Sequence, residues 1–120
     1  MSTWTHVAGC IRVDCLSFET TKEKRKKTAR EVIKIVRENI PSGSEGPLYT
    51  DIHINPYLSH LAAFVVTIWG DLRDYDNIEE IENWFNSVCS QLWIRQAVLT
   101  IECENGQSKT ITYKEKEDGE

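Results

Sequence analysis

The alternation of strand-like and helix-like stretches constrains this chain more than any other feature of its sequence. Strand, helix, hairpin, helix and hairpin patterns follow one another, and each stretch carries one stripe of apolar residues. Because each stripe must be buried against a neighbouring element, this order predicts a layer of helices packed on one sheet. The pattern fills residues 1–114 with a single α+β domain, and the charged residues 115–120 form a predicted flexible tail.

Alternation of apolar and polar residues predicts the first three strands. They cover Trp4–Leu16, Tyr49–Asn55 and Ala62–Gly70. In the second strand, Ile52 and Ile54 are expected to point inward, because residues two apart share a face.

Apolar residues spaced by three and four predict two helices. The first covers Thr20–Asn39, where Thr20 and Glu23 fit a capping box. The second follows a cap at Asp76 or Asn77. Its apolar stripe consists of Ile78, Ile81, Phe85, Val88 and Leu92.

A hairpin is predicted at the end of the domain, with strands Ala97–Glu104 and Ser108–Lys114. The dipeptide Asn105-Gly106 between them is typical of a two-residue type I′ turn, in which both residues have positive φ. The residue pairs that this turn sets opposite one another are Glu102 with Lys109 and Val98 with Tyr113.

The order strand–helix–strand–strand–helix–strand is that of the ferredoxin-like βαββαβ fold, and an extra C-terminal hairpin strand follows it here. The predicted fold is therefore α+β, with an antiparallel sheet in the order 2-3-1-4-5 and two helices on one face.

The sheet face away from the helices is predicted to be unusually apolar. Because contiguous exposed apolar patches usually mark interfaces, we expect another copy of the chain, a partner protein or a ligand to cover it. The alternative is that residues 56–61 or the C-terminal tail fold over it. The residues predicted on this face are Ala8, Cys10, Arg12, Val65, Thr67, Trp69, Val98, Thr100, Ile111 and Tyr113.

Composition favours a cytoplasmic protein without metal or cofactor. The longest apolar run, Leu61–Trp69, is about half of the ~20 residues that span a bilayer, and the N-terminus carries no secretion signal. The cysteines lack the spacing of a zinc site, and we expect them to be reduced thiols. They are Cys10, Cys15, Cys89 and Cys103.

Charge is divided unevenly along the chain. The net charge is −5, which disfavours non-specific nucleic-acid binding. A basic patch nevertheless opens the first predicted helix, where cations oppose the helix dipole. It either contacts an anionic partner or is a solvated or neutralised helix face. The patch consists of Lys22, Lys24, Arg25, Lys26 and Lys27.

A polar loop, Asp71–Asn77, is predicted before the second helix. Arg73 and Tyr75 are candidate partner-binding anchors in it, because interface hot spots favour Arg and Tyr, and Asp71 lies beside them. The alternative is ordinary turn and capping chemistry.

Two segments resemble stretches of small proteins encoded by phages and prophages. They are residues 4–14, Trp-Thr-His-Val-Ala-Gly-Cys-Ile-Arg-Val-Asp, and residues 68–76, Ile-Trp-Gly-Asp-Leu-Arg-Asp-Tyr-Asp. The resemblance implies a class of role only, since small phage accessory proteins often disable a host defence. Some of them block CRISPR effectors, and others sequester nucleotide signals.

Three function hypotheses follow, and no catalytic residue is predicted. The first is a non-enzymatic, phage-type inhibitor of a bacterial defence system that binds a host defence protein. The second is an oligomeric sponge for a nucleotide signal. Its phosphate would be bound by Arg12, Arg73 and Arg95, and its base by Trp69 or Tyr113. The third is a small metal-dependent hydrolase using Asp51, His53 and Asp71.

Overall fold

The computed structural model describes residues 2–14, 28–54 and 63–113. Five strands form an antiparallel sheet in the order β4-β5-β1-β6-β7, and β2 pairs with β3 in a small separate hairpin. The predicted α+β class, two helices and antiparallel sheet are confirmed; the small hairpin was not predicted. The elements are β1 (Trp4–Asp14), α1 (Ala29–Arg37), β2 (Ser42–Gly43), β3 (Gly46–Pro47), β4 (Tyr49–Ile54), β5 (Ala63–Arg73), α2 (Ile78–Ser90), β6 (Ile94–Cys103) and β7 (Ser108–Tyr113).

The core lies on one face of the sheet. Ile11 of β1 and Leu99 of β6 are fully buried there, and Phe85 of α2 packs into the same cluster. The indole N–H of Trp84 on α2 donates to the carbonyl of Val36 on α1 at 3.2 Å. This bond joins the two helices over the same apolar face. None of the described residues covers the opposite face of the sheet, which is called the open face below. Residues 56–61 and the C-terminal tail, which were the alternative cover for it, lie outside the described residues.

Helix α1 begins at Ala29, and its N-cap Thr28 is extended, so the prediction of one continuous helix over Thr20–Asn39 is wrong at Thr28. The Thr28 hydroxyl accepts from the Glu31 N–H, and the Glu31 carboxylate accepts from the Thr28 N–H, which completes a capping box. The sequence offers the same spacing at Thr20 and Glu23, but that predicted start lies outside the described residues.

Strand β5 is longer than predicted, and Asp71 to Arg73 do not belong to a loop. They pair with β1, where Trp4 lies opposite Arg73 and His6 opposite Asp71. The reason is that Leu72 continues the inward alternation of the strand and is fully buried. As a result, Asp71 and Arg73 project from the open face of the sheet.

Strand β4 is an edge strand and buries its side chains incompletely. Ile52 packs against the core as predicted. Ile54, which was also expected to be buried, is 57% exposed.

Strand β6 begins at Ile94, three residues earlier than predicted, and it contains a bulge at Arg95. Val13 pairs with Ile94 and Arg12 with Gln96, so Arg95 is the extra residue. The bulge leaves Ile94 and Ala97 both buried, with two exposed side chains between them.

The turn between β6 and β7 differs from the predicted two-residue type I′ turn. The Gly106 N–H donates to the Cys103 carbonyl at 3.0 Å, and the Cys103 N–H donates to the Gln107 carbonyl at 2.8 Å. Gly106 has φ +100°, whereas Asn105 is not among the described residues with positive φ. This is a three-residue loop with a left-handed glycine, which pairs Glu102 with Ser108 and Val98 with Thr112.

The changed turn shifts the register by one residue and reverses the two faces of β7. Ile111 lies opposite Leu99 and is buried, and Tyr113 packs against the core. Lys109 reaches α2, where its Nζ lies 2.6 Å from a Glu82 carboxylate oxygen. The prediction that Ile111 and Tyr113 lie on the open face is therefore wrong.

Neither helix of the described residues is long and apolar enough to cross a membrane. In this part of the chain, Cys10, Cys89 and Cys103 form no disulfide bond.

Candidate functional site: the open sheet face

Side chains on the open face form five rows across the sheet, because antiparallel register sets residues of adjacent strands opposite one another. Rows lie two residues apart along each strand, or about 6.6 Å. The end row contains Arg73, Trp4 and Glu104, and the acidic row contains Asp71, His6, Glu102 and Ser108. The aromatic row contains Tyr49, Trp69, Ala8, Thr100 and Thr110. The small row contains Asp51, Thr67, Cys10, Val98 and Thr112. The basic row contains His53, Val65, Arg12 and Gln96.

The aromatic row carries two large exposed rings. Tyr49 and Trp69 stack with their centroids 4.7 Å apart and their planes at 26°. They remain 62% and 55% exposed. Since burying an aromatic side chain contributes strongly to association, this stacked pair is the best candidate for a contact anchor.

Small side chains surround the stacked pair. Ala8 lies beside Trp69 in the same row, and Thr67 and Cys10 lie in the next row. Val65 and Val98 are partly buried by their neighbours. The middle of the face therefore offers a shallow apolar surface with one raised aromatic edge.

His6 connects the acidic row to the end row. Its Nδ1 lies 2.5 Å from an Asp71 carboxylate oxygen, and its Nε2 lies 3.4 Å from a Glu104 carboxylate oxygen. The hydrogen bond to Asp71 is the main reason that the pKa of His6 is raised above its usual 6.5. Desolvation opposes this shift, and the Glu104 carboxylate adds to it.

We expect the imidazolium form of His6 to stabilise the fold slightly. A raised folded-state pKa contributes stability that is complete below pH 6.5 and is lost as the pH rises through the folded-state pKa. Because the pair is exposed, the effect is on the order of a few tenths of a kcal/mol. In an NMR titration, the midpoint of His6 should lie above 6.5 and should fall in Asp71→Asn. A smaller fall is expected in Glu104→Gln, and an unshifted midpoint in wild type would contradict the bridge.

Arg73 is engaged within its own end of the sheet. Its Nε donates to the Ser2 hydroxyl at 3.0 Å, and its Nη1 lies 3.3 Å from a Glu45 carboxylate oxygen. Its guanidinium also lies 6.0 Å from the centroid of the Trp4 ring. Glu45 therefore offsets the charge of Arg73, and the carboxylates of the acidic row remain the main charges at this end.

The opposite end of the face carries two arginines among the described side chains. Arg12 is exposed in the basic row, and Arg95 is exposed in the adjoining bulge. Gln96 adds a neutral polar side chain beside them.

The predicted binding residues are only partly brought together. Arg12, Trp69, Asp71 and Arg73 share the open face, and Arg95 lies in the bulge at its basic end. Tyr113 lies on the opposite face. The basic patch, residues 22–27, lies outside the described residues.

Tyr75 follows β5 and packs partly against the core. Its N–H donates to the Thr3 carbonyl at 3.1 Å, and its own carbonyl accepts from the Thr5 hydroxyl. Burial, together with the nearby Glu80 carboxylate, raises the pKa of Tyr75. These contacts favour a structural role for Tyr75 and not the predicted role of partner-binding anchor.

The residues of the hydrolase hypothesis do not converge. Asp51 and His53 lie in the small and basic rows, and a ring nitrogen of His53 lies 3.2 Å from the Thr67 hydroxyl. Asp71 lies on the next strand, at least two rows away. Within residues 2–14, 28–54 and 63–113, no three His, Cys, Asp or Glu side chains form a group that could hold a metal ion.

Sequence reasoning did not select Tyr49 or His6 as site residues, and it did not predict the contact between His6 and Glu104. The strand alternation of β4 places Tyr49 on the face of Asp51 and His53, and this signal was present in the sequence. His6 and Glu104 meet only through the register of β1 and β6 and the turn that follows, so no local pattern indicates their contact.

Comparisons with protein-family models, with curated proteins and with solved structures find no match to this chain.

Proposed function

We propose that the chain is a non-enzymatic binding protein that contacts a protein partner through the open sheet face. The observation that carries this proposal is the exposed Tyr49–Trp69 stack in the aromatic row. Around this stack, small and β-branched side chains allow close approach of another protein surface, whereas the charges lie towards the two ends.

A nucleotide ligand fits the same face less well. Arg73 and Arg12 lie four rows apart, which is about 26 Å along the strands and too far to grip one phosphate group. Asp71 lies in the row between Arg73 and Trp69, where its carboxylate would repel a phosphate. Tyr113, the second candidate for base stacking, belongs to the other face of the sheet.

The ferredoxin-like assignment is part of this proposal. It is supported by the order β4-β5-β1-β6, in which each helix follows a strand and leads to a strand two places away in the sheet. Strand β7 then extends the sheet beyond β6. The phage-type inhibitor role, the host defence protein as target and the cytoplasmic location stay predictions.

Site-specific photo-crosslinking in the cells that encode the chain tests the proposal. A photoreactive residue at Thr67, on the open face, should give a discrete protein adduct that disappears when Trp69→Glu is added. A photoreactive residue at Asn83, exposed on α2, is the matched control and should give none. Equal adducts from both positions, or none from Thr67, would count against the open face as a binding surface.

A further inference from the structure

We infer that the side chains of Arg37 and Asp51 cap the outer edge of β4, the side away from β5, and prevent it from pairing with a strand of another chain. This inference concerns the edge of the sheet and does not depend on the partner proposed for the open face. It follows from which backbone groups of β4 point outward and from the side chains that bind them.

The outer edge of β4 belongs to a strand that is suited to pairing. Strand β4 ends the five-stranded sheet, and no other strand of the described residues pairs with its outer side. Its sequence, Tyr-Thr-Asp-Ile-His-Ile, is rich in β-branched and aromatic residues. Tyr49 and Ile54, on opposite faces of the strand, are both exposed. An exposed edge strand of this kind is a template for association unless its backbone groups are protected.

The even-numbered residues of β4 direct their backbone groups to the outer edge. In an antiparallel pair, alternate residues bond the neighbouring strand, and the residues between them direct both N–H and C=O away from it. The Thr50 carbonyl accepts from Arg37 of α1. The Ile52 N–H donates to the Asp51 carboxylate. Neither partner belongs to β5, so the backbone groups of Thr50, Ile52 and Ile54 form the outer edge.

Arg37 caps the outer edge at Thr50. It lies in the last turn of α1, a helix that contacts β4. Its Nε donates to the Thr50 hydroxyl at 2.9 Å, and its Nη2 donates to the Thr50 carbonyl at 3.2 Å. The planar guanidinium therefore binds two acceptors of one residue and places a positive charge where another strand would approach.

Asp51 caps the next outward group. Its side chain belongs to the open face, but its Oδ1 accepts from the Ile52 N–H at 2.9 Å. The carboxylate takes the place of the carbonyl that a pairing strand would offer to this donor. The Thr50 carbonyl and the Ile52 N–H are neighbouring groups in the middle of the outer edge, so an added strand would have to displace both caps.

Removal of both caps tests the inference. The double variant Arg37→Ala/Asp51→Ala should form oligomers at concentrations at least about tenfold below those at which wild type does, because two backbone groups become free to pair. Sedimentation velocity of the purified full chain measures this difference. Arg30→Ala removes the same charge from an exposed position of the same helix, and this matched control should behave as wild type.

Hydrogen exchange followed by NMR tests whether the new contact lies at the outer edge of β4. In oligomers of the double variant, the amides of Thr50 and Ile54 should exchange at least about tenfold more slowly than in wild type, because they enter a new ladder. The amide of His53 faces β5 and should stay as protected as in wild type.

Two single variants test the Asp51 cap without the double variant. Asp51→Asn and Asp51→Ala both remove the charge, but only Asp51→Asn keeps an oxygen acceptor. After correction for sequence-dependent exchange rates, the Ile52 amide should exchange about fivefold faster in Asp51→Ala than in Asp51→Asn, which is the factor expected for one typical hydrogen bond.

Four outcomes would overturn the inference. The first is a folded double variant that associates no more than wild type, and the second is an oligomer in which the Thr50 and Ile54 amides stay unprotected. The third is an oligomer in which the His53 amide loses its protection, since association would then proceed through unfolding of β4. The fourth is equal exchange of the Ile52 amide in the two Asp51 variants, which would remove Asp51 from the cap.

Discussion

Alanine at Gly9 should destabilise the fold by about 3 kcal/mol or more, which is a large part of the stability of a domain of this size. A Cβ atom at Gly9 would lie 2.2 Å from the Val98 carbonyl oxygen and 2.9 Å from the Leu99 Cα. Both atoms belong to the backbone of β6, which is held by β1 on one side and by β7 on the other. The added methyl group therefore has to displace a strand in the interior of the sheet.

Urea denaturation of Gly9→Ala and Gly106→Ala would measure this effect against a matched control. A Cβ at Gly106 would meet nothing within 4 Å, so only its φ of +100° opposes alanine there. That conformation costs an L-residue about 1–2 kcal/mol. If Gly9→Ala proved as stable as Gly106→Ala, the close approach of β1 and β6 would be incorrect.

Local alternation was enough to predict most of the sheet, as β1 shows. Val7, Ile11 and Val13 were assigned to the core face because they lie at even spacings along the strand, and all three are buried. The same reasoning stopped β5 too early at Gly70, because glycine and aspartate are typical of turns. Burial of Leu72 outweighed that local preference and kept the strand paired with β1.

The β6–β7 hairpin could not be predicted from its turn residues alone. Asn105-Gly106 suits a two-residue turn, but a three-residue loop also places its glycine at the left-handed position. The two turns differ by one residue in register, and that difference decides which side chains of β7 reach the core. Burial of Ile111 favours the observed register, and that preference acts through contacts with α2 and β6 rather than through the turn.

The candidate site was predictable only in part for the same reason. Trp69 and Arg12 could be placed on the open face from the alternation of their own strands. The Tyr49–Trp69 stack and the separation of acidic and basic rows depend on registers between strands that are distant in sequence. No pattern within a single strand carries that information.

Aspartate substitution at two adjacent positions of β7 should give opposite results and thereby test the register. Ile111→Asp should lower the free energy of unfolding by about 3 kcal/mol or more, because it places a carboxylate among buried apolar side chains. Thr112→Asp lies on the exposed face, and its effect should stay within about 0.5 kcal/mol. Urea denaturation of both variants, with circular dichroism as the signal, measures the difference.

The register set by a two-residue turn predicts the opposite result for these two variants. Comparing them therefore distinguishes that register from the observed one. In that register Thr112 would point to the helices and Ile111 would lie on the open face, so Thr112→Asp would be the damaging change. A strong effect at both positions would instead indicate that both faces of β7 are covered. In the observed register, Ile111→Asp should therefore lower the free energy of unfolding far more than Thr112→Asp does.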